Sequence, residues 1–438
     1  MRTILKTSLL LLSTLSLKAV PASAQLNKVK HVVVIYMENH SFDNLYGQFP
    51  GADGLEQASK ENIIQLDHEN KPYQTLPPIP RSSAFPTNLP NTYFNIDQYV
   101  AADQVTPDVT HRFYQEQLQI NGGKMNKFAH YNFTKGFAMG YYRTKDIPLY
   151  ELAKKYTLCD HFFHSVFGGS FLNHQWLVAA ASPTFPNAPA SIVAQVDARG
   201  KLIKDGTVTP DGYAVNTINS INLYPAGGNP AFLVPTQTGP NIGDRLSDKG
   251  ISWAWYSGGW NNAVAGKPDP SFTYHHQPFA YFTRYAKGTP GRKEHLKDET
   301  EFLEAAKNGT LPAVSFVKPI GLENEHPGES TITGGESHAV KLINAVLNGP
   351  NSKDVVIILT YDENGGFWDH IAPPVIDKWG PGTRIPALII SPFAKKNYVD
   401  HTPYETVSIL SFIEKRWGLN PLNKRDQEAD PLSHAFDF

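Results

Sequence analysis

The sequence has one cysteine, Cys159, in 438 residues. No intramolecular disulfide can form, so stability must come from a large buried core. Charge of one sign is also missing: the formal net charge is −2, and no block of like charge interrupts the chain. Without a basic stripe there is no footprint for nucleic acid, and without an acidic or basic run there is no interaction tail. Long apolar runs are absent as well. The longest, from Ser8 to Leu17, is too short for a comfortable membrane span, so no integral membrane contact is expected.

That first run has another reading. Arg2 and Lys6 precede it, and Ala22-Ser23-Ala24 follows with the small-x-small pattern of signal peptidase. Residues 1–24 are therefore expected to be a signal peptide, and the protein to be exported, either to the periplasm or out of the cell. Residues 25–438 are expected to form a single catalytic domain.

What the chain does have is a set of unalternated apolar runs. His31 to Met37 and Val355 to Tyr361 are the strongest, followed by Ile251 to Tyr256, Ala313 to Val317 and Pro386 to Ser391. Such runs mark strands buried on both faces, as in a parallel sheet covered by helices. Helical patterns lie between them, at 110–120, 148–156, 297–308, 337–347 and 406–417. Alternation of this kind predicts an α/β fold in three layers, α/β/α. The Pro-, Gly- and Asn-rich segment 183–245 is expected to be a loop or small β excursion capping a site.

In α/β sheets of this type, ligands bind beyond the carboxyl ends of the strands. The two strongest strands both end in polar clusters: Glu38-Asn39-His40-Ser41-Phe42-Asp43 and Asp362-Glu363-Asn364-Gly365-Gly366. Carboxylates gathered at buried strand tips repel one another unless a cation lies between them, and a divalent ion is the natural partner. Capping of the helices that follow is the competing role for the same acids.

A third cluster is Phe167-Gly168-Gly169-Ser170-Phe171-Leu172-Asn173-His174. Two glycines before a serine that opens an apolar helical pattern put the hydroxyl at a helix N-terminus, where free amides favour an anion such as phosphate. Asn173 follows one turn later on the same face. The serine is not in a G-x-S-x-G elbow, so an α/β-hydrolase triad is not indicated. Of 16 histidines, those in polar, Gly/Pro-flanked settings are His111, His275-His276, His326 and His370.

Taken in order, these motifs, together with Asn121-Gly122-Gly123-Lys124-Met125, Cys159-Asp160-His161-Phe162-Phe163 and Glu325-His326-Pro327, resemble the bacterial phosphoesterase family. That family includes secreted acid phosphatases of the AcpA type and phospholipases C. The resemblance implies an alkaline-phosphatase-like fold and one divalent metal ion, held by Glu38, Asn39, Ser170, Asp362 and Glu363. It also implies an active-site shell of His111, Asn173, His275 or His276, and His326. The phospholipase members usually carry threonine at the nucleophile position with Asn-Arg shortly after it. Ser170 and Asn173-His174 stand there in this chain, which is closer to the acid phosphatases.

The expectation is thus a metal-dependent phosphoric-ester hydrolase of acid phosphatase type, acting on phosphomonoesters through a phosphoserine on Ser170. A phospholipase C is the alternative, and a non-enzymatic periplasmic binder of phosphate compounds is a rival of another class. The substrate is accordingly a small phosphate ester or a phospholipid. Hard oxygen ligands suit Ca, Mg or Mn, and zinc remains compatible with a carboxylate-rich site. Spacing does not decide between His111 and His326 as the leaving-group acid.

Overall fold

The computed structural model of the chain describes residues 25–222 and 229–438; residues 1–24, expected as a signal peptide, lie outside the described residues. Eight strands form the central sheet: β1 (His31–Met37), β2 (Thr157–Cys159), β3 (Trp253–Ser257), β4 (Leu296–Asp298), β5 (Val314–Lys318), β6 (Val355–Tyr361), β7 (Ala387–Ile390) and β8 (Tyr398–Asp400). Their order across the sheet is β8-β2-β7-β6-β1-β5-β3-β4. β1 and β6, the two runs richest in β-branched residues, pair in parallel at the centre. Their seven-residue patterns are almost wholly buried, as strands covered on both faces must be.

β7 departs from the expected parallel arrangement: it runs antiparallel to both β6 and β2. Its residues are buried throughout, and an apolar run carries no mark of direction. The other seven strands share one direction.

The helices that frame the site are α1 (Phe42–Tyr46), α2 (Phe113–Ile120), α3 (Ser170–Ala179), α4 (Glu299–Asn308), α5 (Ile332–Leu347) and α6 (Thr406–Trp417). Two tyrosines locate the layers. Tyr36 in β1 donates to the main-chain oxygen of Asn173 in α3 (3.4 Å). Tyr361, the register partner of Met37, donates to Glu325 (2.8 Å), whose side chain lies against Gly335 in α5. Neighbouring strand residues point to opposite faces, so α3 lies on one face and α5 on the other. α6 packs on α3, and α4 on α5, which completes the three layers.

α5 begins five residues earlier than its periodicity predicts, because Gly334-Gly335 masks its first turn. Gly335 is there for space: a Cβ would lie 2.3 Å from Cγ of Glu325. Within the segment 183–245, Gln195–Val196 pairs with Leu202–Lys204 in a small antiparallel ribbon. Just past it, Asp205 pairs with Arg112, and Asn216 accepts from the Phe113 amide (3.1 Å), so this excursion lies against the start of α2.

Candidate active site

β1 and β6 end side by side, and the chain turns sharply after each. Asn39 adopts φ +64°, a left-handed conformation that asparagine tolerates better than most residues. Its amide donates to Asp362 Oδ1 (3.0 Å), which also accepts from the Glu363 amide (2.8 Å). Gly365, at φ +63°, passes so close that a Cβ would sit 2.1 Å from the Asn39 carbonyl oxygen. The two strand-end motifs are thereby locked together.

α3 brings the third motif. Gly168, at φ +94°, leaves no room for a side chain against the main chain of Phe113 (2.6 Å). Its amide donates to Glu116 Oε2 (2.6 Å), and Glu116 Oε1 lies 2.8 Å from His164 Nε2. Neither side chain of this pair is exposed beyond 1%. Ser170 then opens the helix with its Oγ donating to Glu38 Oε2 (2.9 Å).

One arm of the Asn39 side-chain amide lies 2.7 Å from Glu38 Oε2, 2.9 Å from Glu363 Oε1, and 3.3 Å from both Asp362 Oδ1 and Ser170 Oγ. The other arm lies 3.0 Å from His326 Nε2. Without a cation, the arm facing the four oxygens must be the NH2 group, with the amide oxygen accepting from His326. Four side-chain oxygens converging on one amide also make a donor set that suits a divalent cation, with the amide turned to offer its oxygen. Asp362 Oδ2 is buried with no hydrogen bond of good geometry, a second mark of an oxygen suited to a cation. The five residues Glu38, Asn39, Ser170, Asp362 and Glu363 therefore fit a divalent ion.

The electrostatics agree. Burial, reinforced by the Glu38 charge, raises the Asp362 carboxyl well above the usual carboxylate range. Burial opposes ionisation of Glu38 too, but Lys318 and His276 beside it hold that carboxyl well below the usual range. Lys318 Nζ is in direct contact with Glu38 Oε1, and His276 Nε2 is 2.9 Å from the same atom. Lys318 is fully buried at the end of β5. It is not among the residues expected at the site, because it closes an apolar strand and stands in no polar motif.

The histidines divide into two groups. His111 Nδ1 is 2.8 Å from Glu363 Oε1, and its ring meets that of His326 edge to face at 5.6 Å. Burial disfavours a charge on His111, yet Glu363 and Asp108 raise it well above the ordinary histidine value. His275 and His276 sit on the far side, with His276 stacked on His174 at 5.1 Å. Burial lowers His276 to about 4 and holds His275 well below the ordinary histidine value. His174 Nδ1 donates to the Ser170 carbonyl (2.7 Å), which leaves its buried Nε2 without a partner. The amide nitrogen of Asn173 donates to the Gly168 carbonyl (3.1 Å), while its buried Oδ1 has no partner. His370 lies elsewhere, against Asp43 (2.6 Å).

A cavity of about 260 Å³ opens beside this cluster, lined by Asp108, His111, Phe133 and Gly169 among others. It leads from solvent to the start of α3.

A model of the phosphoesterase family matches residues 29–420. A protein named phospholipase C B from Mycobacterium tuberculosis is 24% identical over 461 residues, which span 95% of this chain and 79% of the relative. The non-hemolytic phospholipase C of Pseudomonas aeruginosa is 24% identical over 478 residues, spanning 99% and 61%. Non-specific phospholipase C3 of Arabidopsis thaliana is 22% identical over 461 residues, spanning 92% and 72%. Among solved structures, an alkaline phosphatase superfamily protein from Vibrio parahaemolyticus shares 11% identity with a TM-score of 0.36, over 76% of this chain and 77% of that one.

Proposed function

The chain belongs to the phosphoesterase family and is a hydrolase of phosphoester bonds, and from that premise we propose that it is an exported, metal-dependent phospholipase C with Ser170 as its nucleophile. The observation that carries the site assignment is the convergence of Glu38, Asn39, Asp362 and Glu363 oxygens on Ser170 Oγ and the Asn39 amide. The relatives named phospholipase C favour phospholipid over the phosphomonoester expected from Ser170 and Asn173-His174. A non-enzymatic phosphate binder has no place in a family of hydrolases.

Glu38, Asn39, Ser170, Asp362 and Glu363 would hold a divalent ion, which would ease loss of the Ser170 proton and offset charge on the phosphoryl oxygens. Ser170 Oγ gives its proton to solvent, from which the histidine acid is reprotonated after turnover, and attacks phosphorus in line. The bond from phosphorus to the diacylglycerol oxygen breaks as the bond to Ser170 forms. His111 or His326, at the mouth, gives that departing oxygen its proton. Water then attacks the phosphoserine, releasing the phosphorylated headgroup and restoring the Ser170 hydroxyl. Lys318 and His276 keep Glu38 ionised throughout, and Asn173 and His275 border the space for the remaining phosphoryl oxygens.

Incubation with phosphatidylcholine and with p-nitrophenyl phosphate, each with and without chelator, tests the reading. Release of phosphocholine that stops with chelator supports it. A clear preference for p-nitrophenyl phosphate promotes the second reading, a phosphomonoesterase, which the residues at Ser170 and Asn173-His174 favour. Turnover indifferent to chelator contradicts both.

A further inference from the structure

Among the described residues, nine large apolar side chains are exposed, and their placement is one-sided. Leu322, Val264 and the pair Val375 and Ile376 lie on segments that leave the carboxyl ends of β5, β3 and β6. Phe133 lines the cavity beside His111 and Gly169, and its amide donates to Thr110 (3.0 Å). Val105 lies between Ala102, whose carbonyl accepts from Thr333 (3.0 Å), and Asp108, which abuts Gly328. All six thus surround the end of the sheet where the candidate site opens. The other three belong to the excursion at 203–232. None of the nine lies on the loops at the opposite end of the parallel strands.

We propose that this end of the molecule docks on a phospholipid surface, with the apolar loop tips entering the interface and the cavity facing the headgroups. The proposal rests on the phospholipase reading for its choice of occupant. Three features favour a lipid surface over a protein partner. First, the apolar residues are separate tips on different loops, not a continuous groove, and a fluid interface needs no matching side chains. Second, the most prominent tip is stiff: Val375 is 99% exposed and follows Pro373-Pro374, whose rings fix the backbone that presents it. Third, a lysine follows closely on three tips, at Lys135 after Phe133, Lys267 after Val264 and Lys378 after Ile376. Such side chains can lay an apolar stem along the interface and carry the charge to the phosphate layer. Lys378 is exposed and its ion pair is with the equally open Asp211 (2.6 Å), so it can exchange that partner for a lipid phosphate.

Sedimentation of the full chain with phosphatidylcholine vesicles, beside turnover of monomeric dibutyryl phosphatidylcholine, tests this. Val375→Ser with Ile376→Ser should lower vesicle partition by about tenfold or more, from the loss of two buried apolar side chains. Turnover of the monomeric lipid should not change. Leu322→Ser, on a different loop, should lower partition independently, which separates docking from a defect of one loop. Equal partition of variants and parent, no partition of the parent, or parallel loss of monomer turnover overturns the proposal, as does self-association through this face in place of vesicle binding. The two readings fail differently. A parent that binds vesicles but cleaves no phosphatidylcholine leaves docking intact and defeats the phospholipase assignment; one that cleaves the monomeric lipid without binding vesicles does the reverse.

Discussion

Ser170 Oγ donates to Glu38 Oε2 at 2.9 Å, joining the first turn of α3 to the tip of β1. This contact ties the proposed nucleophile to a carboxylate that Lys318 and His276 keep ionised. Ser170→Ala should lower turnover by at least about a thousandfold with little change in unfolding midpoint. Ser41 is the contrasting serine, since its hydroxyl donates to the Trp368 carbonyl (2.7 Å) and caps α1. Ser41→Ala should cost about 1 kcal/mol of stability and little activity. Steady-state rates and thermal melts of the two variants check both statements.

Asp362→Asn and Glu363→Gln each remove an anionic oxygen from the candidate cation site. Both should weaken metal binding and slow turnover together, and excess cation should restore part of the rate. Metal content by elemental analysis is the readout. Full occupancy with lost activity would make these acids proton carriers instead.

Lys318 and Glu38 form a fully buried ion pair. Lys318→Met leaves the carboxylate without its cation and should cost about 3–5 kcal/mol in chelator. A divalent ion bound at Glu38 would replace the lost charge, so added cation should recover part of that loss. Denaturant unfolding with and without cation measures it; an unchanged variant would contradict the pairing.

Glu336 at the start of α5 is raised to about 8 by burial, and its neighbour Glu325 is raised by burial and by Glu336. The folded protein therefore keeps a proton that the unfolded chain releases near an ordinary carboxyl value. Stability on this account is greatest below that value and declines as pH rises towards about 8, by up to about 1.4 kcal/mol per pH unit. Glu336→Gln cannot ionise and should flatten the decline, while its amide oxygen can still accept from the Leu149 amide. Unfolding free energies of parent and variant across this range decide it.

The sheet's centre was legible because Val32 to Ile35 and Val355 to Leu359 admit no other role than buried strand. The helices at 299–308 and 406–417 were legible from periodicity, with a capping box at Asp298 and Gly309 and Gly418 at their ends. The short strands β2, β4 and β8 were not, since three residues carry no period. In the candidate site, acids at strand tips and a serine at a helix start are local signals that mark the two clusters and Ser170, while the set Glu38, Asn39, Ser170, Asp362 and Glu363 follows from the resemblance to the phosphoesterase family. Lys318 and the Glu116–His164 pair act through contacts between distant segments, which no spacing reveals. The direction of β7 was hidden for the same reason: pairing is a property of two strands.

The central claim is that Ser170 becomes covalently attached to phosphorus during turnover. Acid quenching of the protein with substrate, followed by peptide mass spectrometry, tests it directly. With phosphatidylcholine as substrate, the account predicts a phosphocholine adduct on the peptide carrying Ser170, present only with divalent cation and absent from Ser170→Ala. An active enzyme whose adduct maps to another residue, or whose Ser170→Ala variant turns over at the parent rate, would contradict it.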